Sequence, residues 1–240
     1  MNNPSPEYKT NEIYERIRDS LLAGELLIPE TEVASFIRQA RSIPDYAQSE
    51  AILGLLFISW GKIQTGTEHC ERSIEADPFA PAAWITYSQA MMGRRMYSAD
   101  IDIIYRGIKY ESPPVIKMAL NKALMWADIP MIKRLLQIMS KLKIETPDEI
   151  AARAMLQAAK EAEDDGIDEI ASCAMTIAER EGLPLFQTQL VHDFDGNLVF
   201  CYRLQDPSSR ELSRLNGLLI DLIIERGLEA KNSIAVFERA

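Results

Sequence analysis

Residues 47–80 read AQSEAILGLLFISWGKIQTGTEHCERSIEADPFA, and residues 81–114 read PAAWITYSQAMMGRRMYSADIDIIYRGIKYESPP. The two blocks are of equal length, about 34 residues. Each opens on an apolar run, continues at helical spacing and closes on a proline (Pro78 and Pro113). Landmarks recur at one offset: Leu53 answers Tyr87, Gly54 answers Ser88, Phe57 answers Met91 and Ser73 answers Gly107. The small residues let two helices approach closely, and the large ones fill the seam between them. A helical hairpin repeated at this period stacks on its copies into a solenoid, because one copy alone cannot bury its apolar face.

Working outward, apolar residues at helical spacing predict a first helix over about 7–23, with Ile13, Ile17 and Leu21 inward. A second helix follows Pro29 to Arg41, and a third starts at Ser42–Pro44 and runs to about Ile63. Further helices are expected at about 67–76, 81–93, 98–110, 114–127 and 130–142. Thr146-Pro147-Asp148-Glu149 has the residues of a capping box and starts another, to about Glu163. A tenth runs from Ile167 to Glu181. The expected helical-repeat domain is therefore 7–182, behind a disordered tail over 1–6.

The pattern changes at Gly182. Residues 185–203 alternate apolar and polar around Asp195-Gly196-Asn197, which predicts a β-hairpin. Phe186, Leu190, Leu198, Phe200, Tyr202 and Leu204 are all even-numbered. A two-residue loop would pair even with odd positions and split this set, so a three-residue loop is expected. Asp206-Pro207 opens a last helix that Gly227 ends, and 233–238 reads as a closing strand. The fold class expected is mainly α: a solenoid of antiparallel helical hairpins followed by a small ββαβ α+β unit over 183–240. That unit would be marginal alone and should pack on the last helices or on a second copy of itself.

On these residues the chain resembles the tetratricopeptide-repeat family. Within each block that family wants large apolar residues at positions four, seven and eleven, small ones at eight, twenty and twenty-seven, and proline at thirty-two. Leu53, Gly54, Phe57, Gly66, Ser73 and Pro78 match in the first block, and Trp84, Tyr87, Ser88, Met91 and Gly107 in the second. Glu50, at a large apolar position, and Asp100, at a small one, depart from it. The next hairpin, 115–142, is too short and matches poorly. The resemblance implies a concave groove lined from the first helix of each repeat, here by Gln48, Ala51, Leu55, Ile58 and Ser59, then Ala82, Ile85, Gln89, Met92 and Gly93. Such a groove is mostly apolar, lacks a carboxylate clamp, and suits an apolar or amphipathic segment of a partner protein. The other use of this face is to be covered by the chain's own N-terminal helices.

Seven methionines, Met91, Met92, Met96, Met118, Met125, Met131 and Met139, cluster here; thioethers either fill irregular cores or make adaptable surfaces. The net charge of −10 argues against phosphate-backbone binding, and the adjacent Arg94–Arg95 pair reads as solvating a turn. No secretory h-region occurs in residues 1–12, and the longest apolar run, 51–60, is too short to span a bilayer. Cys70, Cys173 and Cys201 form no CxxC pair and suit free thiols in a reducing compartment, so a cytoplasmic location is expected.

Chemistry is sparse. Residues 190–199, LVHDFDGNLV, resemble the first motif of haloacid-dehalogenase-type phosphatases, with Asp193 as nucleophile and Asp195 as acid. Asn197 stands where that family has Thr or Val, and too little chain follows for its remaining motifs. A hairpin turn explains the same residues. His69 and His192 lack partners at metal-ligand spacing, and no phosphate loop or nucleophile elbow occurs. The acidic run 161–165 reads as a solvated helix end. The expectation is a non-catalytic scaffold, adaptor or chaperone that binds a protein or peptide, with no metal, cofactor, nucleic acid or membrane insertion. The alternative is a regulatory or self-associating protein that acts through its C-terminal unit, whose exposed sheet edges invite pairing with a strand from a twin chain, giving a homodimer, or from a partner.

Overall fold

A computed structural model describes residues 6–163 and 166–240, with side chains from Thr10 onward. The tail expected over 1–6 lies outside the described residues except for Pro6, as do Asp164 and Asp165 of the acidic run. Among the described residues are eleven α-helices and one three-stranded sheet. The chain forms two compact units that divide at Val115/Ile116.

In the first unit the helices are α1 (Pro6–Ala23), α2 (Glu30–Ala40), α3 (Tyr46–Ser59), α4 (Ile63–Ala76), α5 (Pro81–Gly93) and α6 (Tyr97–Gly107), the last extended by a 3-10 turn, Ile108–Tyr110. α3 packs on α4 and α5 on α6, as the two blocks require. The third helix stops at Ser59 rather than Ile63, because Gly61 takes a left-handed conformation (φ 81°) that a helix cannot continue. α4 begins at Ile63, not Thr67. Gly66 does not break it; it lies inside α4 against Gly54 of α3. Asp45 caps α3, accepting from the Gln48 N–H at 2.9 Å.

Both departures from the repeat pattern are buried and paired. Glu50, 8 % exposed, accepts from Arg72 Nε at 2.6 Å, and His69 Nδ1 lies 2.9 Å from the same carboxylate oxygen. Asp100, 1 % exposed, accepts from the Ser88 hydroxyl, so the small residue of one helix serves the acid of the next. Burial pushes the Glu50 pKa up, but the hydrogen bonds from Arg72 and His69 outweigh it and hold it below the ordinary 4.5. Its contribution to stability is therefore complete above pH 4.5 and is lost as pH falls through the lowered folded-state value. Glu50→Gln should cost about 1–2 kcal/mol at pH 7 and flatten the acid limb of stability. Urea midpoints from pH 7 to pH 3 test this, and an unchanged acid limb would refute it.

The second unit holds the rest of α7 (Pro113–Met125), α8 (Ile129–Leu142), α9 (Asp148–Glu161), α10 (Ile167–Arg180), β1 (Gln187–His192), β2 (Leu198–Leu204), α11 (Ser209–Glu225) and β3 (Ile234–Arg239). The capping box expected at Thr146 does not form. α9 has no side-chain cap; the Thr146 carbonyl accepts from the Glu149 N–H, and the Glu149 carboxylate turns to Arg153. Asp128 caps α8 and Ser208 caps α11.

The strand order is β1-β2-β3, with β1 antiparallel and β3 parallel to β2. Leu190 stands opposite Phe200 and Thr188 opposite Tyr202, so even residues face even residues. Asp193 and Asn197 are joined by a backbone bond of 3.0 Å, leaving the expected three residues, Phe194–Gly196, as the loop, with Gly196 at φ 85°. β2 departs from simple alternation, since Val199 and Cys201 on the odd face are buried too. It is the central strand, and α10 packs on β2 and β3. For the same reason α10, with eight of its fourteen residues buried, belongs to the compact unit that contains the sheet, and that unit begins well before the boundary expected at 182/183.

Candidate functional site

α3 and α5 lie side by side, and α1 crosses both. Its Ile13, Ile17 and Leu21 recur every four residues, forming a stripe that is 0–6 % exposed. At the far end of α5 the crossing is backbone against backbone. A Cβ built on Gly93 would overlap the Leu21 carbonyl oxygen, and one on Gly24, at φ 71°, would overlap the Gly93 carbonyl. The chain's own first helix therefore packs on this face and covers part of it.

The expected groove residues thus divide. Leu55 (2 % exposed), Ile58 and Ser59 are buried. Gln48, Ala51, Leu55 and Ala82 line an opening that α1 leaves beside its first described turns, a cleft of about 310 Å³. Ile85, Gln89 and Met92 are half-buried on α5 and do not line it. Its wall also includes Thr10, Asn11 and Tyr14 of α1 and Ala83 and Thr86 of α5. Thr10 Oγ1 donates to Gln48 Oε1 at 3.3 Å, which ties α1 to α3 at this mouth. Burial first, and then Glu15, hold the Tyr14 phenol above its ordinary 10.0, so at neutral pH it is an uncharged hydrogen-bonding group beside apolar side chains.

Among the described residues that line the cleft, the only charged ones are Asp45 and Asp77. Asp45 is engaged as the α3 cap, and Asp77 Oδ1 accepts from the Phe79 N–H at 3.2 Å. The volume is at the low end of the range of about 300–1,000 Å³ for ligand pockets. Reading α3 and α5 alone missed Tyr14 and Thr86. Two signals were nevertheless present: the Ile13-Ile17-Leu21 stripe, and Gly93 at a groove-lining position, where a glycine invites another backbone to approach.

Arg94 does not solvate a turn, as expected of the pair. Its guanidinium donates to the carbonyls of Ile58 (3.0 Å from Nε) and Ser59 (2.7 Å from Nη2), capping the C-terminus of α3. Burial lowers its pKa. Of the clustered methionines, Met91 and Met139 are 1 % exposed and the other five are half-buried. All three cysteines are free and buried.

In the hairpin loop, Asp193 Oδ1 accepts from the backbone amides of Asp195 and Asn197, both at 2.9 Å, and Asn197 Nδ2 donates to Oδ2 at 3.1 Å. The hydrogen bond from the Asn197 side chain, then those from the loop amides, lower the Asp193 pKa. This carboxylate builds the turn. Among the described residues no group of three His, Cys, Asp or Glu side chains is placed to hold a metal ion, and no helix is long and apolar enough to cross a membrane. Compared with protein-family models, with curated proteins and with solved structures, the chain matches none, so the likeness to tetratricopeptide repeats is carried by its residue spacing alone.

Proposed function

We propose that this protein is a non-catalytic, protein-binding scaffold, adaptor or chaperone of tetratricopeptide-like build, acting in the cytoplasm. Its first unit holds an apolar or amphipathic segment of a partner in the cleft bounded by α1, α3 and α5. The observation that carries this reading is the cleft itself: four of the groove residues that the resemblance implies, Gln48, Ala51, Leu55 and Ala82, line it. Because α1 already covers part of the groove, the segment held is short, a few side chains rather than a whole helix. Asp45 and Asp77 favour a segment with a basic residue beside its apolar ones.

Ala82 is exposed and Ala51 half-buried, so a photo-crosslinking side chain at position 82 and a plug at position 51 test the site separately. The full chain with the crosslinker at Ala82 should capture one partner at native expression levels. Adding Ala51→Trp, which fills the cleft, should cut that capture at least about tenfold, a loss of about 1.4 kcal/mol of binding. Capture unaffected by the plug would defeat the reading.

A further inference from the structure

β1 is an edge strand with an open side. The Asp193 N–H donates to the Asn197 carbonyl at 3.0 Å, so residues 193 and 197 are a hydrogen-bonded pair of the antiparallel ladder. Such pairs alternate along the strands. By the observed register, Gln187, Gln189 and Val191 bond to β2, while the N–H and C=O groups of Thr188 and Leu190 point away from it. These outward groups have no partner among the described residues. The opposite edge is treated differently. The Asn216 side chain of α11 accepts from the Phe237 N–H (2.8 Å) and donates to its carbonyl (3.0 Å), closing β3 as another strand would. β1 has no lysine, proline or acidic residue of the kind that blunts an edge.

A cleft of about 450 Å³ runs beside this strand. Thr188, Gln189 and Leu190 all line it. Successive strand side chains point to opposite faces, so three in a row share one cleft when it follows the edge. Opposite stand Leu124 and Met125 of α7 and Ala154 and Met155 of α9. Among the described residues none that lines it is charged, in a chain that is 26 % charged.

We propose that this slot is a strand-addition site, independent of the cleft on the first unit. An uncharged, extended segment of a partner protein pairs with the outward backbone of Thr188 and Leu190 and becomes the fourth strand of the sheet. Its alternate side chains are apolar and meet Leu124, Met125 and Met155, whose thioethers adapt to different shapes. A helix cannot take this place, because its backbone groups are already bonded to one another. A second copy of the chain would have to bring its own β1 past the α7–α9 wall, whereas a single extended segment enters directly. The absence of charge in the lining selects an uncharged segment, since a buried unpaired charge would be costly.

The test is residue-resolved amide exchange on the full chain, with a panel of end-capped heptapeptides that alternate Thr with Val, Ile, Leu, Met or Phe. At least one member should slow exchange at Thr188 and Leu190 saturably, and equally at all protein concentrations. Thr188→Pro removes only an outward N–H, so it should weaken binding about five- to tenfold, the worth of one hydrogen bond. Met155→Asp, which leaves the strand untouched, should weaken it at least as much. No slowing with any peptide would overturn the proposal. So would unchanged binding by a folded Met155→Asp variant, or protection that appears without peptide and grows with protein concentration, which would make the occupant a second copy.

Discussion

Gly93→Ala should destabilise the first unit by about 3 kcal/mol, although it places a better helix former at the end of α5. The helix-propensity gain is at most about 1 kcal/mol. Against it, the new methyl would occupy the position of the Leu21 carbonyl oxygen, and its neighbour across the crossing is backbone, which cannot swing aside. α1 must lift from α5, which uncovers part of the Ile13-Ile17-Leu21 stripe. Each fully buried side chain of this kind is worth about 1.5–3 kcal/mol, so partial exposure of two outweighs the propensity gain several-fold. Chemical denaturation should show the loss, and amide exchange should show α1 opening first. A destabilisation below about 1 kcal/mol would mean that α1 does not cross α5 as described.

The second large effect belongs to the seam inside the first repeat. Gly66→Val should cost about 3 kcal/mol or more. A Cβ at Gly66 would lie 2.7 Å from the Gly54 carbonyl and 2.8 Å from the Ile58 nitrogen, both backbone atoms of α3. Overpacking of this kind costs about 1–3 kcal/mol for a side chain the core can partly accommodate, and here two β-branched methyls follow the first carbon into a helix–helix contact. Gly217→Ala in α11 is the control. Nothing lies within 4 Å of a Cβ there, so the same loss of a glycine should stabilise, by up to about 1 kcal/mol. Equal effects at the two positions would remove close packing as the reason for Gly66.

The same residue shows where reading the chain alone went astray. Gly66 matches a small-residue position of the repeat, and it does lie against Gly54 on the facing helix. The helix expected from Thr67 nevertheless begins at Ile63, so this glycine sits inside α4 instead of ahead of it. Glu50 and Asp100 were legible only as departures. Their partners Arg72, His69 and Ser88 turn each into a satisfied buried acid, and pairing of that kind becomes visible once helices are placed side by side. The hairpin was read correctly to its register, because the parity of an aromatic face constrains a loop without reference to anything beyond the two strands.

For the candidate sites the division is similar. Four of the ten groove positions line the cleft, since helical spacing decides which face a residue occupies but not what else covers that face. β1 was legible as a strand and exposed sheet edges were expected, but which of the two edges stays open was not legible. Whether an edge is capped depends on residues such as Asn216, which reaches Phe237 across 21 positions.

By itself the sequence determined the helical hairpins, the period that sets Gly54, Gly66, Ser88 and Gly107 at close approaches, the even-numbered face of the sheet and its three-residue loop. Each of these follows from short-range periodicity and from residue size. Only the tertiary structure decided that α1 packs across α3 and α5, that α10 and the sheet form one unit, that Gly66 lies inside α4 rather than ahead of it, and that β3 is closed while β1 stays open. Those outcomes turn on which surfaces compete for burial and which backbone groups find partners, and these are properties of distant segments brought together rather than of any one stretch of chain.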